Sequence, residues 1–129
     1  MLFSEKDYKY LSGEEFSNGY SLFLGGDPLY GRTEVLLALT EKKSCIHIGC
    51  CDHVPLIKNK IGNRQWLHGL LEENCTDVLG IDISQDAVNY VNDEQLSKQK
   101  VYCADVTASD FIDKIPSKRY DFVLLGEIV

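Results

Sequence analysis

Val78-Leu79-Gly80-Ile81-Asp82-Ile83-Ser84 is the stretch whose reading decides the fold. It opens as an apolar run without polar alternation, the pattern of a strand covered on both faces in a parallel sheet. The run stops on an acid, Asp82, and Ser84 then offers a helix N-cap. Ala87, Val88 and Val91 fall inward on the helix predicted from there to about Ser97. A buried strand that hands over directly to a capped helix is the building unit of an α/β protein.

The same unit recurs on either side. Upstream, Cys45-Ile46-His47-Ile48-Gly49 is a short apolar strand closed by glycine. A loop through Pro55 and Gly62 is expected next, then a helix from Asn63 to Cys75. Asn63 would cap that helix, with Trp66, Leu67, Leu70 and Leu71 on one stripe. Downstream, Val101-Tyr102-Cys103 is a third strand. Thr107 or Ser109 starts a short helix carrying Phe111, Ile112 and Ile115 and closed by Pro116. Phe122-Val123-Leu124-Leu125 is a fourth strand, apolar on both faces. Ahead of the first strand, Asp27 as N-cap and Pro28 at the first helical position predict a helix over Leu29 to Glu41. Leu29, Leu36 and Leu39, with Tyr30 and Leu37 beside them, make it largely buried. Residues 1–26 read as a polar, glycine-punctuated lead-in with one short helix around 4–10. Residues 27–129 read as one domain, a Rossmann-like, doubly wound α/β fold with a mainly parallel sheet of about four strands.

The whole chain has 129 residues, a length for a single domain. Its 13 basic and 20 acidic residues give a net charge of −7. The acids are spread along the chain and leave no basic stripe, which argues against a phosphate-binding nucleic-acid surface. No apolar run approaches the ~18 residues of a membrane span, and the first seven residues lack the apolar core of a signal peptide. Five cysteines, an odd number with no Cys-x-x-Cys pair, predict a reduced, cytoplasmic chain.

Open α/β sheets bind ligands at the carboxyl ends of their strands, so the residues just past each strand are the candidates. They are Gly49-Cys50-Cys51-Asp52-His53, Asp82-Ile83-Ser84, Asp105-Val106 and Gly126-Glu127. An acid at the tip of the second strand is placed to accept two ribose hydroxyls; the plainer reading of Asp82 is an acid at a helix entry. Of the Gly-x-Gly-x-x-Gly dinucleotide turn only Gly49 is present.

These four segments, in order, resemble the motifs of class I S-adenosylmethionine-dependent methyltransferases. The resemblance runs over roughly residues 28–129. It is carried by Cys45-Ile46-His47-Ile48-Gly49-Cys50-Cys51-Asp52-His53, Val78-Leu79-Gly80-Ile81-Asp82-Ile83-Ser84, Val101-Tyr102-Cys103-Ala104-Asp105-Val106 and Tyr120-Asp121-Phe122-Val123-Leu124-Leu125-Gly126-Glu127. It implies a strand order 3-2-1-4 and S-adenosylmethionine as cofactor. Gly49 and its neighbours His47, Cys50, Cys51 and His53 would hold the methionine part. Asp82 would take the ribose, Ile83 the adenine face, Asp105 the adenine amino group, with Val106 packing beside it. Leu125 and Gly126 would face the methionine moiety. The first motif is a variant one. His47 replaces an acid, Cys51 and His53 replace two glycines, and 33 residues separate Gly49 from Asp82. The same resemblance implies further strands after the fourth, so the chain reads as the N-terminal, cofactor-binding part of a longer, truncated enzyme. Its acceptor would be a small molecule or glycan.

Glu127, just past the fourth strand, is the candidate for orienting or deprotonating an acceptor. His47, Cys50, Cys51 and His53 lie within seven residues, but two adjacent cysteines and a histidine inside a strand argue against shared ligation, and no metal is expected. A cysteine nucleophile at Cys50 or Cys51 lacks a partner base. Trp66 belongs to the core. Two other functions fit the pattern: an NAD(P)-binding oxidoreductase domain, which shares the Asp82 position, and a non-catalytic methyltransferase-fold module.

Overall fold

A computed structural model describes residues 4–12, 14–16 and 31–126. The chain divides into two compact units, Met1–Tyr30 and Gly31–Val129. In the first, α1 spans Glu5–Leu11, the short helix expected there, and Lys9 pairs with Glu15 at 3.9 Å. The predicted cap at Asp27-Pro28, with Leu29 and Tyr30, lies outside the described residues.

The second unit is built on four strands, β1 (Ser44–Ile48), β2 (Asp77–Asp82), β3 (Tyr102–Cys103) and β4 (Phe122–Leu125). All pair in parallel, in the order β3-β2-β1-β4. This is the Rossmann-like α/β fold and strand order expected. β2 lies between neighbours and is buried from Val78 to Asp82, as its unbroken apolar run requires. Cys50, Ile57, Trp66, Val88, Val91 and Val101 form one core cluster; Leu79, Ile81 and Ala104 form another, with Ile46, Tyr102, Phe111, Ile115 and Tyr120 against it. β1 and β4 are tied at their amino ends by a clamp: the Asp121 carboxylate accepts from Ser44 N (2.8 Å) and Ser44 Oγ (3.0 Å).

Several elements differ from expectation, each for a visible reason. The expected loop through Pro55 and Gly62 is a helix, α3 (Val54–Gly62), with Ile57 fully buried. Pro55 opens it, at a position where a missing N–H leaves no bond unmade. Asn63 therefore closes α3 instead of starting the next helix, and α4 spans Leu67–Asn74 with Trp66 as N-cap. α2 (Arg32–Thr40) is not largely buried: Leu36 and Leu37 are half-buried, Val35 and Leu39 exposed, and only Thr40 is sealed off. It is held mainly against α4, where Asn74 Nδ2 donates to Leu37 O at 2.7 Å, so a single stripe suffices.

Ser84 caps α5 (Gln85–Asp93) as predicted, its Oγ accepting from Ala87 N at 3.3 Å. α5 stops at Asp93 because the chain turns left-handed at Gln95 (φ 52°), where Leu96 N donates back to Val91 O at 3.0 Å; Asn92 turns its side chain to Val101, donating to Val101 O (2.9 Å) and accepting from Val101 N (3.0 Å). The expected helix from Thr107 or Ser109 is a single 3-10 turn, Phe111–Lys114, with Ile112 exposed. Thr107 instead donates both its N–H and its hydroxyl to Asp105 Oδ1. β4 is not covered on both faces; Val123 and Leu125 are 53% and 61% exposed. Among the described residues no helix is long and apolar enough to cross a membrane.

Candidate functional site at the carboxyl edge of the sheet

Pairing of Ile48 with Ile81 and with Leu125 sets the tips of β1, β2 and β4 side by side. The turn after β1 starts at Gly49, whose φ of 74° is a conformation that favours glycine. That geometry folds the turn onto β2, so Gly49 N and Cys50 N both donate to Ile81 O, at 2.8 and 3.1 Å. The indole N–H of Trp66 donates to Cys50 O at 3.1 Å and fixes the turn from the α4 side. Trp66 is thus a core residue with a polar handle.

Asp82 stands at the junction of the two loops. Its Oδ2 accepts from Cys51 N and its Oδ1 from Ser84 N, both at 3.0 Å, and the residue is 8% exposed. Ionised acceptors of backbone N–H make strong bonds, so one carboxylate locks the turn after β1 to the start of α5. Beside it Ile83 is 70% exposed, an apolar platform at the strand tip. Asp105 is held by Thr107, whose two hydrogen bonds keep its carboxyl below the usual range; Val106 is half-buried next to it. Leu125 and Gly126 are exposed at the tip of β4. Glu127 lies outside the described residues.

His53 is exposed, and its N–H donates to Asp52 at 2.8 Å. Asp52 is partly buried, which raises its pKa, but its pairing with Lys60 wins and holds it low. Cys50 and Cys51 bring their sulfurs to 3.8 Å. The Cys50 thiol is pushed up strongly by the Cys51 thiol, by burial and by Asp82. That direction does not favour an activated nucleophile at Cys50.

His47 reaches this edge group from the face of the sheet: its Nε2 lies 3.9 Å from where a Cβ on Gly126 would stand. On the face of the sheet its Nδ1 meets Nδ1 of His68 at 3.2 Å, the rings stacked at 25°. Both are buried. Burial, the neighbouring His68 and Arg32 lower the His47 pKa to about 3, and burial lowers that of His68 to about 4. Two neutral imidazoles must share one proton between facing nitrogens. Past His68 the sequence of donors is set: Glu72 accepts from Lys98 N (2.8 Å), Gln99 N (3.3 Å) and Ser97 Oγ (2.5 Å). With its hydroxyl given to Glu72, Ser97 Oγ accepts from His68 Nε2 at 3.3 Å. His68 Nδ1 is then the bare nitrogen, and His47 donates to it through Nδ1–H.

No motif in the sequence marks His68, Glu72 or Ser97 as site residues. Their one signal was Gly80: a Cβ there would stand 2.6 Å from His68 Cε1 and 2.7 Å from Val101 Cγ1, so the glycine makes room for the imidazole.

A surface depression of about 570 Å³ lies elsewhere, lined by Asn92, Gln95, Ser97, Lys98, Gln99 and Lys100 ahead of β3. It is open and holds no convergent set of buried polar groups, so the strand tips remain the candidate site. No protein-family model, no curated protein and no solved structure matches the chain. The class is thus defined by fold alone: a small Rossmann-like α/β protein with a four-stranded parallel sheet.

Proposed function

We propose that the carboxyl edge binds S-adenosylmethionine and that the chain is the cofactor-binding portion of a cytoplasmic methyltransferase. The observation that carries this reading is the alignment of Gly49, Asp82 with exposed Ile83, Asp105 and Gly126 at neighbouring strand tips. Each Asp82 oxygen takes one backbone N–H and keeps a lone pair, which suits a vicinal diol. Ile83 offers the adenine an apolar face and Asp105 an acceptor for its amino group. The protein's part in the reaction is to position the donor. The bound cofactor would supply an activated methyl group for transfer to an acceptor, and Gly49, Asp82, Ile83, Asp105 and Gly126 would hold it in place.

Calorimetric titration with S-adenosylhomocysteine tests this. Saturable binding is expected, weakened about tenfold or more by Asp82→Ala, in line with loss of a charged hydrogen-bonding group. A flat titration overturns the reading, and NADH fluorescence enhancement would move it to the oxidoreductase alternative. A second reading, a non-catalytic module, rests on one observation: Asp82 is 8% exposed and already ties two loops together. It predicts that Asp82→Ala lowers stability with no ligand to lose.

A further inference from the structure

We propose that Cys50, Cys51 and Asp82 bind one thiophilic divalent cation, Zn²⁺ by charge and preferred geometry, at the turn after β1. The two sulfurs and a carboxylate oxygen lie within 4.8 Å of one another, although Asp82 comes from another strand. Adjacency of the cysteines in sequence argued against shared ligation; the folded turn places their sulfurs 3.8 Å apart on the same side. A tetrahedral ion with metal–sulfur bonds of about 2.3 Å needs its two sulfurs about 3.8 Å apart, the edge of that tetrahedron. The observed sulfur spacing therefore matches the edge of such a site.

The surroundings are those of a supported ligand set. Cys51 N and Ser84 N orient the Asp82 carboxylate, and Trp66 Nε1 holds the Cys50 carbonyl. Such outer bonds fix ligands before the metal arrives. Two thiolates select a borderline or soft ion over Mg²⁺ or Ca²⁺. Binding converts two thiols to thiolates and releases two protons. Three protein ligands leave a fourth position for water or a ligand atom. Cys51 is half-buried at the strand tip, which supplies the entry path.

Co²⁺ serves as the optical probe, with the full chain, reduced and without nucleoside. The expected result is one equivalent bound, with thiolate charge-transfer absorption and intense tetrahedral d–d bands, displaced by one equivalent of Zn²⁺ with two protons released. Cys51→Ser should abolish the charge-transfer band, Asp82→Asn should weaken binding about tenfold or more, and Cys103→Ser should leave both unchanged. No band at stoichiometric ion overturns the proposal, as does a band that survives in Cys51→Ser, or one that requires two chains per ion by sedimentation. If buried Cys50→Ser fails to fold, Cys51→Ser, at a half-buried position, still decides. The ion and a ribose would share the Asp82 carboxylate, but the outcomes separate: an ion bound by a chain that ignores S-adenosylhomocysteine upholds this proposal alone.

Discussion

Gly80 carries more of the fold than its size suggests. It sits in the middle of the best-buried strand, opposite the His68 ring, and its missing side chain is the space the imidazole occupies. Gly80→Ala forces a methyl into contact with two groups closer than 3 Å. A loss of about 1–3 kcal/mol is expected, the usual cost of overpacking a tight core, read as a lowered urea midpoint with unchanged slope. The two buried imidazoles give a second residue-scale outcome. Their folded pKa values of about 3 and about 4 lie below the ordinary 6.5. The unfolded chain therefore takes up protons first as pH falls. Stability is full above pH 6.5 and declines as pH drops toward the folded values, by at most about 2 kcal/mol per histidine between 6.5 and 5. Equal urea midpoints at pH 7 and pH 5 would contradict a neutral, buried pair. Asp82 was legible in the sequence because an acid ending an apolar run has few roles. His68 was not, since its partner His47 lies 21 residues away and only the docking of α4 on the sheet brings them together.

Among the elements, the strands were legible and the helix edges were not. β1, β2 and β4 are apolar runs with sharp stops, and their type needs no tertiary information. α3 was hidden by Pro55, which reads as a loop signal yet occupies the first turn of a helix. The burial of α2 was overread because leucine spacing shows amphipathicity without showing how many neighbours the helix will meet; α2 meets chiefly α4. β4 differs in the same way, since only one of its faces is partly covered: Phe122 and Leu124 are half-buried while Val123 and Leu125 are exposed. That contrast is measurable. Ile81→Ala, at a fully buried site in β2, should cost about 2–5 kcal/mol. Val123→Ala, on the exposed face of β4, should cost under about 1 kcal/mol. Comparable losses at both positions in chemical unfolding would mean that the outer face of β4 is covered in solution.

At the scale of the whole molecule, the clamp between Ser44 and Asp121 has a temporal meaning. It joins residues 77 apart, whereas β1 and β2 meet across only 33 (44 to 77) and β2 and β3 across 21 (81 to 102). The entropic difference between closing the 77- and 33-residue loops is about 0.7 kcal/mol, since loop cost grows only with the logarithm of length. Order of arrival is affected more than final stability, because nearer pairings form before distant ones reward their closure. The expected order is β1, β2 and β3 first, with the Gly49 and Asp82 turns in place, and β4 with Gly126 afterwards, so that the carboxyl edge matures in two stages; φ-values near zero in β4 and higher in β2 would check it.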